Sequence, residues 1–329
     1  MSAARAHNAR LLRRLTMTTS PDMVETFDDA TPLELVDTLL DASPPPADPP
    51  ALDLEADYWE PTRWWVERMA DPAAGLDERM VWFWHGHITS SIDKTPPSTM
   101  LDQLGLLRLH ARGSFRQMLR EVSTDAAMLH WLDGSGSDAD APNENYAREL
   151  MELFALGRDA GVYDEADVRS GARALAGYWV DDDEVTFDED AALRGSVPFL
   201  GVRVSDVDDV IDAVCDQPEC SAHVVSALHE HFVGGPMGRD LRGRMIEALG
   251  SGELAIDDAL RVLLRDPTFT DGPPLRPRSA LEWYLAVQQL VLDPLEFWSL
   301  EQLGQVPLRP PNVAGWPGAE RWASSGLML

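Results

Sequence analysis

Two places in this chain carry residues whose types and spacing could do chemistry. His85 and His87 stand in Phe83-Trp84-His85-Gly86-His87, and Arg148, Glu149 and Glu152 stand in the run from Pro142 to Phe154. Neutral imidazole is the commonest metal ligand, and Glu149 and Glu152 lie one helical turn apart. His85, His87, Glu149 and Glu152 are therefore the candidate ligands of a divalent metal. A water on such an ion would be the nucleophile of a hydrolase. Arg148 would orient an anionic substrate with its forked guanidinium, and His85, His110 and Glu149 would complete the catalytic set.

Each of these residues also has a structural reading. Met80-Val81-Trp82-Phe83-Trp84 is apolar around a whole turn, which implies a buried helix whose imidazoles must find partners. At i and i+2 the two rings face nearly opposite ways, so both reach one ion only if the helix ends near Gly86. His110 closes a helix before Ala111-Arg112-Gly113, where an imidazolium satisfies the helix C-terminus. In the other segment Asn145, Arg148, Glu149 and Glu152 fall within an arc of about 100°, with Tyr146, Leu150, Leu153 and Phe154 opposite. That pattern also describes an ordinary wet helix face, capped by Asn143 and supported by the Glu144–Arg148 pair.

Other signatures fail. Cys215, Cys220 and His223 give a C-x4-C-x2-H spacing looser than zinc sites use, and Gln217-Pro218-Glu219 reads more simply as a helix start. Neither Gly134-Ser135-Gly136-Ser137 nor Gly234-Gly235-Pro236 has the strand-turn-helix setting of a nucleophile elbow or phosphate loop. Asn312, between Pro311 and Val313, reads as a structural clamp tying its loop to the helical core. The tryptophans are core material.

The elements that must position these residues are mostly helices. Thr31-Pro32 opens one through Leu40; Pro61 to Met69, Asp77 to His87 and Thr99 to His110 follow, and Ser114 and Ser123 cap two more. Asp164 starts another. Later helices cover Val207 to Val214, Ala222 to Phe232, Arg239 to Leu249, Ala255 to Arg265, Ala280 to Leu292 and Pro294 to Leu303. Pro44 to Pro50 is a stiff extended connector. Between Tyr178 and Gly201 lies one hairpin, with Trp179-Val180 and Val185-Thr186-Phe187 around an acidic turn. The fold class is all-α, an irregular multi-helix packing with one small β-hairpin insertion. It divides into an N-terminal helical lobe 1–177, the hairpin and loop 178–203 and a C-terminal helical lobe 204–329, or forms a single compact domain.

Charge narrows the partners. The 329 residues carry 56 acids against 27 bases, a net charge of −29, and Lys94 is the one lysine. Such a chain repels phosphate backbones, so no nucleic acid is expected. No run approaches ~18 apolar residues, so no membrane span is expected. Arg13-Arg14 is followed by no apolar stretch of signal length, and the cytoplasm is the expected compartment.

Several motifs taken together resemble the bacterial family known as domain of unknown function 1800. The resemblance covers about Ala9 to Trp322. It includes Leu11-Leu12-Arg13-Arg14, Phe83 to His87, Met128 to Asp133, Asn143 to Gly157, Tyr163 to Val168, Gln217-Pro218 to Phe232, and Pro310-Pro311-Asn312-Val313-Ala314-Gly315-Trp316-Pro317-Gly318. It departs where the family's F-W-H-N-H-F reads Phe83-Trp84-His85-Gly86-His87-Ile88, losing an amide and an aromatic. It departs again where a family His-Asp pair and Lys are replaced by Ala191-Ala192-Leu193-Arg194. Family members usually run on beyond the tryptophan motif, which leaves a shortened member as one reading. The resemblance implies no activity. Members are often exported and encoded beside relatives of alkaline phosphatases or sulfatases, which suggests a protein partner. Two function classes follow: a binding or assembly module acting with a protein partner, or a metal-dependent hydrolase.

Overall fold

The computed structural model describes residues 2–43, 49, 59–181, 183–291 and 298–318. The proline connector lies outside them apart from Pro49, as do Leu292 and the start of the last expected helix.

Helix starts follow side-chain chemistry. Ser2 caps α1 (Ala3–Leu15) and Ser20 caps α2 (Pro21–Thr26); Thr31 and Glu34 form a capping box at α3 (Pro32–Leu40). Then come α4 (Glu60–Ala70), α5 (Gly75–His87) and α6 (Pro97–His110). Ser114 caps α7 (Phe115–Ser123) as expected, but Asp125, not Ser123, caps α8 (Ala126–Trp131). Ser123 instead ends α7, its hydroxyl 2.6 Å from the Tyr146 phenol. Next, α9 (Asn145–Glu149) passes into a wider π-helical turn, Leu150–Ala155. A capping box at Asp164 opens α10 (Glu165–Ala174).

Two hairpins follow where one was expected. β1 (Tyr178–Asp181) pairs antiparallel with β2 (Glu184–Phe187), and β3 (Val197–Phe199) with β4 (Val202–Val204). The second is fixed by Leu200 and Gly201, both at positive φ, the geometry a tight hairpin turn requires. Helices then resume as α11 (Val207–Cys215), α12 (Pro218–Phe232), α13 (Arg239–Leu249), α14 (Ile256–Arg265), α15 (Pro267–Thr270), α16 (Ala280–Gln288) and α17 (Ser299–Leu303). Mostly helical with two small hairpins is therefore the fold class. Among the described residues, no helix is long and apolar enough to cross a membrane.

Most of the buried apolar residues, from Ala9 to Leu308, form one cluster. α5 runs through it, buried from Met80 to His85. Main-chain bonds join the early and late helices: Phe115 N donates to Leu254 O at 3.1 Å, and Ile256 N to Gly113 O at 2.9 Å. A buried carboxylate, Glu78, gathers α4, α5 and α6. It accepts from Trp65 Nε1 at 2.6 Å and Arg108 Nη2 at 2.7 Å, with Arg68 Nε at 3.5 Å. Removing one partner of such a group strands the others. Glu78→Ala should cost about 3–5 kcal/mol in urea denaturation, and a loss below about 1 kcal/mol would contradict this role.

Candidate functional site

α5 continues through His87 rather than ending at Gly86, so the two imidazoles point apart. His85 is enclosed by aromatic rings, with centroids of Trp65 at 5.1 Å and Trp316 at 5.5 Å. Its buried Nε2 has no partner, and burial pushes its pKa down to about 3. His87 stacks on Phe83, and its Nε2 lies 2.8 Å from the Phe154 carbonyl. His223, from α12, makes the same contact to Leu153 O at 2.8 Å. The π-helical turn leaves these last carbonyls without helical donors, and the two imidazoles satisfy them. Burial, then the neighbouring His223, push His87 down to about 3 against the pull of the Phe154 carbonyl.

The Pro310–Gly318 segment packs on the same place. The Trp316 and Trp82 rings lie 4.7 Å apart, and Thr89 Oγ1 donates to Val313 O at 2.6 Å. A Cβ on Gly315 would sit 2.5 Å from Gly86 O, so only glycine allows this approach. Asn312 does not reach the core. Its Oδ1 accepts from Ala314 N at 2.9 Å and closes its own turn.

The remaining candidates have other partners. His110 Nε2 lies 2.9 Å from Glu121. The Arg148 fork is occupied by Glu165, at 2.7 and 2.9 Å, with Glu144 at 3.1 Å. Glu152 lies 3.5 Å from Arg158 and 3.8 Å from Arg148. Glu149 is half-buried with Oε2 unpartnered; burial and then Glu152 push its pKa up. Among the described residues, no group of three or more His, Cys, Asp or Glu side chains is placed to hold a metal ion. His85, His87, Glu149 and Glu152 are thus not assembled as one ligand set. Cys215 and Cys220 are free and buried, and Pro218 opens α12 at that spacing.

The strongest concentration of charge lies elsewhere. Arg10, Arg13 and Arg14 share one face of α1, Arg79 comes from α5, and Arg276 and Arg278 come from the loop before α16. These six line a cavity of about 210 Å³ together with one acid, Glu282. Glu282 is buried and pairs with Arg79 Nη2 at 2.5 Å and with Arg276 at 2.5 and 3.0 Å. Burial alone would raise its pKa, but the two guanidiniums hold it well below the usual carboxylate range. Arg14 donates to Phe269 O at 2.6 Å and Phe232 O at 3.2 Å; burial and then Arg10, Arg79 and Arg276 push it down to about 10. Arg13 is lowered by burial and by Arg278. Among the described residues, no hydrogen bond or ion pair engages Arg13 or Arg278, and both are exposed at the cavity mouth.

Comparison with curated proteins and with solved structures gives no match. The family profile described as "protein of unknown function (DUF1800)" matches residues 10–329. The chain belongs to the DUF1800 family. Three segments of the matched region, Phe83–His87, Asn143–Gly157 and Pro310–Gly318, meet here, with His87 Nε2 on the Phe154 carbonyl and the Trp316 ring against His85. The arginine cavity borders them, since Arg276 also lines the adjoining space beside His87 and Trp316.

The arginines were missed because they are scattered. The spacing of Arg10, Arg13 and Arg14 was a visible signal, but Arg79 sits inside Asp77-Glu78-Arg79, which looks like a solvated charge run. Gly234, at φ +75°, places the loop: a Cβ there would lie 2.9 Å from Arg276 Cβ. No phosphate loop is formed by that glycine pair; it lets the Arg276 segment come close.

Burial of the histidines sets a pH dependence. His87 takes up a proton near 6.5 when unfolded but only near 3 when folded. Between those values the unfolded chain binds more protons, so stability falls as pH drops. His87→Gln keeps a donor for Phe154 O and removes the titration. Urea denaturation at pH 7 and pH 5 should therefore show a smaller acid loss in the variant than in the parent. Equal losses would show that His87 does not titrate this way.

Proposed function

We propose that this DUF1800 protein is a binding module whose ligand is a small anion, held in the arginine-lined cavity and not turned over. One observation carries the reading: six arginines and a single acid line one cavity, and two of the six have no partner among the described residues. Like charges gathered close together repel one another unless something compensates. In a chain of net charge −29 this grouping is not a by-product of composition. Guanidinium is the side chain best suited to phosphate and carboxylate, offering paired donors at fixed geometry.

No observation favours the metal-dependent hydrolase, since its four candidate ligands are not gathered on one point. A protein partner, suggested by the family's genomic setting, would be a separate binding event, and we assign it no surface.

The test is calorimetric titration with inorganic phosphate at constant ionic strength. The parent should bind, and Arg13→Gln/Arg278→Gln should weaken binding by about ten-fold or more, equivalent to at least ~1.4 kcal/mol. Without anion the same variant should be as stable as the parent or more so, because repulsion is relieved. Unchanged binding in the variant would overturn the proposal.

A further inference from the structure

On the other side of Arg276 from the arginine cavity lies a space of about 290 Å³ with a different character. Five rings stand in its wall: Trp82, Phe83 and His87 from α5, His231 from α12, and Trp316 from the last motif. Trp82 and Trp316 are 4.7 Å apart, centroid to centroid, and Phe83 lies 5.7 Å from His87 and 5.1 Å from His231. Gly86 leaves room among them, since a Cβ there would meet nothing within 4 Å. The wall carries little free charge. Burial keeps both imidazoles neutral, and Glu282 engages the Arg276 fork at 2.5 and 3.0 Å.

Two polar groups remain to meet a ligand. Gln305 is only 4% exposed, yet it lines this cavity. Its Oε1 accepts the Leu281 N–H at 2.8 Å, which fixes the orientation of the amide and leaves its nitrogen as the free end. That nitrogen keeps accessible surface and meets no described residue. A buried amide seldom goes without an acceptor. The second group is Glu230, exposed and without a partner among the described residues. Burial thus puts Gln305 on the inner side of the cavity and Glu230 at its mouth.

We propose that this cavity is a second binding site, for a small, flat, uncharged heteroaromatic molecule with a ring carbonyl. The carbonyl accepts from the Gln305 amide, the rings lie against the aromatic wall, and a ring N–H donates to Glu230 at the mouth. The size agrees: pockets for drug-sized ligands span roughly 300–1,000 Å³, so a space at the lower end suits one or two fused rings. A neutral ligand is favoured because the inner wall offers no unpaired charge. The site uses none of the free arginines, so it stands apart from the anion reading.

Calorimetry in phosphate-free buffer tests the proposal with two probes. Hypoxanthine carries a ring carbonyl beside an N–H, and purine has the same two rings without the carbonyl. Hypoxanthine should bind the parent, and purine about ten-fold or more weaker, because the Gln305 donor is then left unpaired. Gly86→Leu fills the space from a helical position where leucine is favoured over glycine. It should abolish binding with no loss of thermal stability. Gln305→Glu keeps an acceptor for the Leu281 N–H and removes the donor, so it should bring hypoxanthine down to the affinity of purine. No hypoxanthine binding, or binding unchanged in Gly86→Leu, would overturn the site. Equal affinity of the parent for the two probes would overturn the role of Gln305 and with it the proposed ligand class. Phosphate binding should be the same in both variants and the parent, so failure here leaves the arginine cavity to its own test.

Discussion

One carboxylate, Glu282, holds together two guanidiniums that would otherwise repel one another in the same buried space. Arg79 reaches it from α5 and Arg276 from the loop before α16. Its position is fixed by helix chemistry: Glu282 is the third residue of the α16 capping box, taking the Ser279 N–H at 2.7 Å. Among the described residues, a capping acid has thus become the one counter-charge lining a six-arginine cavity. Stranding a buried charge costs several kcal/mol, so the wall between α1, α5 and α16 depends on this triad. Arg14 adds a second tie, with its guanidinium 4.0 Å above the Phe269 ring and two carbonyls as acceptors.

The histidine and acid motifs occupy a different physical role. They look catalytic because imidazole, carboxylate and guanidinium occur together, yet His87, His110, Arg148 and Glu152 are each engaged by local partners. The π-helical turn after α9 exposes two carbonyls, and His87 and His223 donate to them. Burial lowers both pKa values against the pull of those carbonyls and keeps the rings neutral. Arg148 is spent on Glu165 and Glu144 at the surface, where pairs contribute little to stability but leave no fork for a substrate. The Gly315–Gly86 contact then fastens the last motif onto α5. The arginine cavity adjoins this knot through Arg276.

Helices were legible where their ends carry chemistry. Thr31 with Glu34, Asp164 with Asp167 and Ser279 with Glu282 form complete capping boxes. The first hairpin was legible from its acidic turn. The second was not, because Val197–Phe199 contains Pro198 and each strand is three residues long, too short for alternation to register. The cavity was half legible. Three arginines at i, i+3 and i+4 on α1 announce a shared face, but nothing local joins them to Arg79 or to Arg276 and Arg278. Their meeting is a consequence of packing, and pairwise distance in sequence carries no trace of it. His110 shows the converse: its helix-end position was read from sequence, while its partner Glu121 came from the next helix.

The most direct test of the arginine cavity is crystallographic. Crystals soaked in tungstate, a tetrahedral dianion with strong anomalous scattering, should show a peak between Arg13, Arg278 and Arg79. Tungstate found only at surface arginines, with this cavity empty and its guanidiniums unmoved, would contradict the claim that the protein is built to hold an anion there.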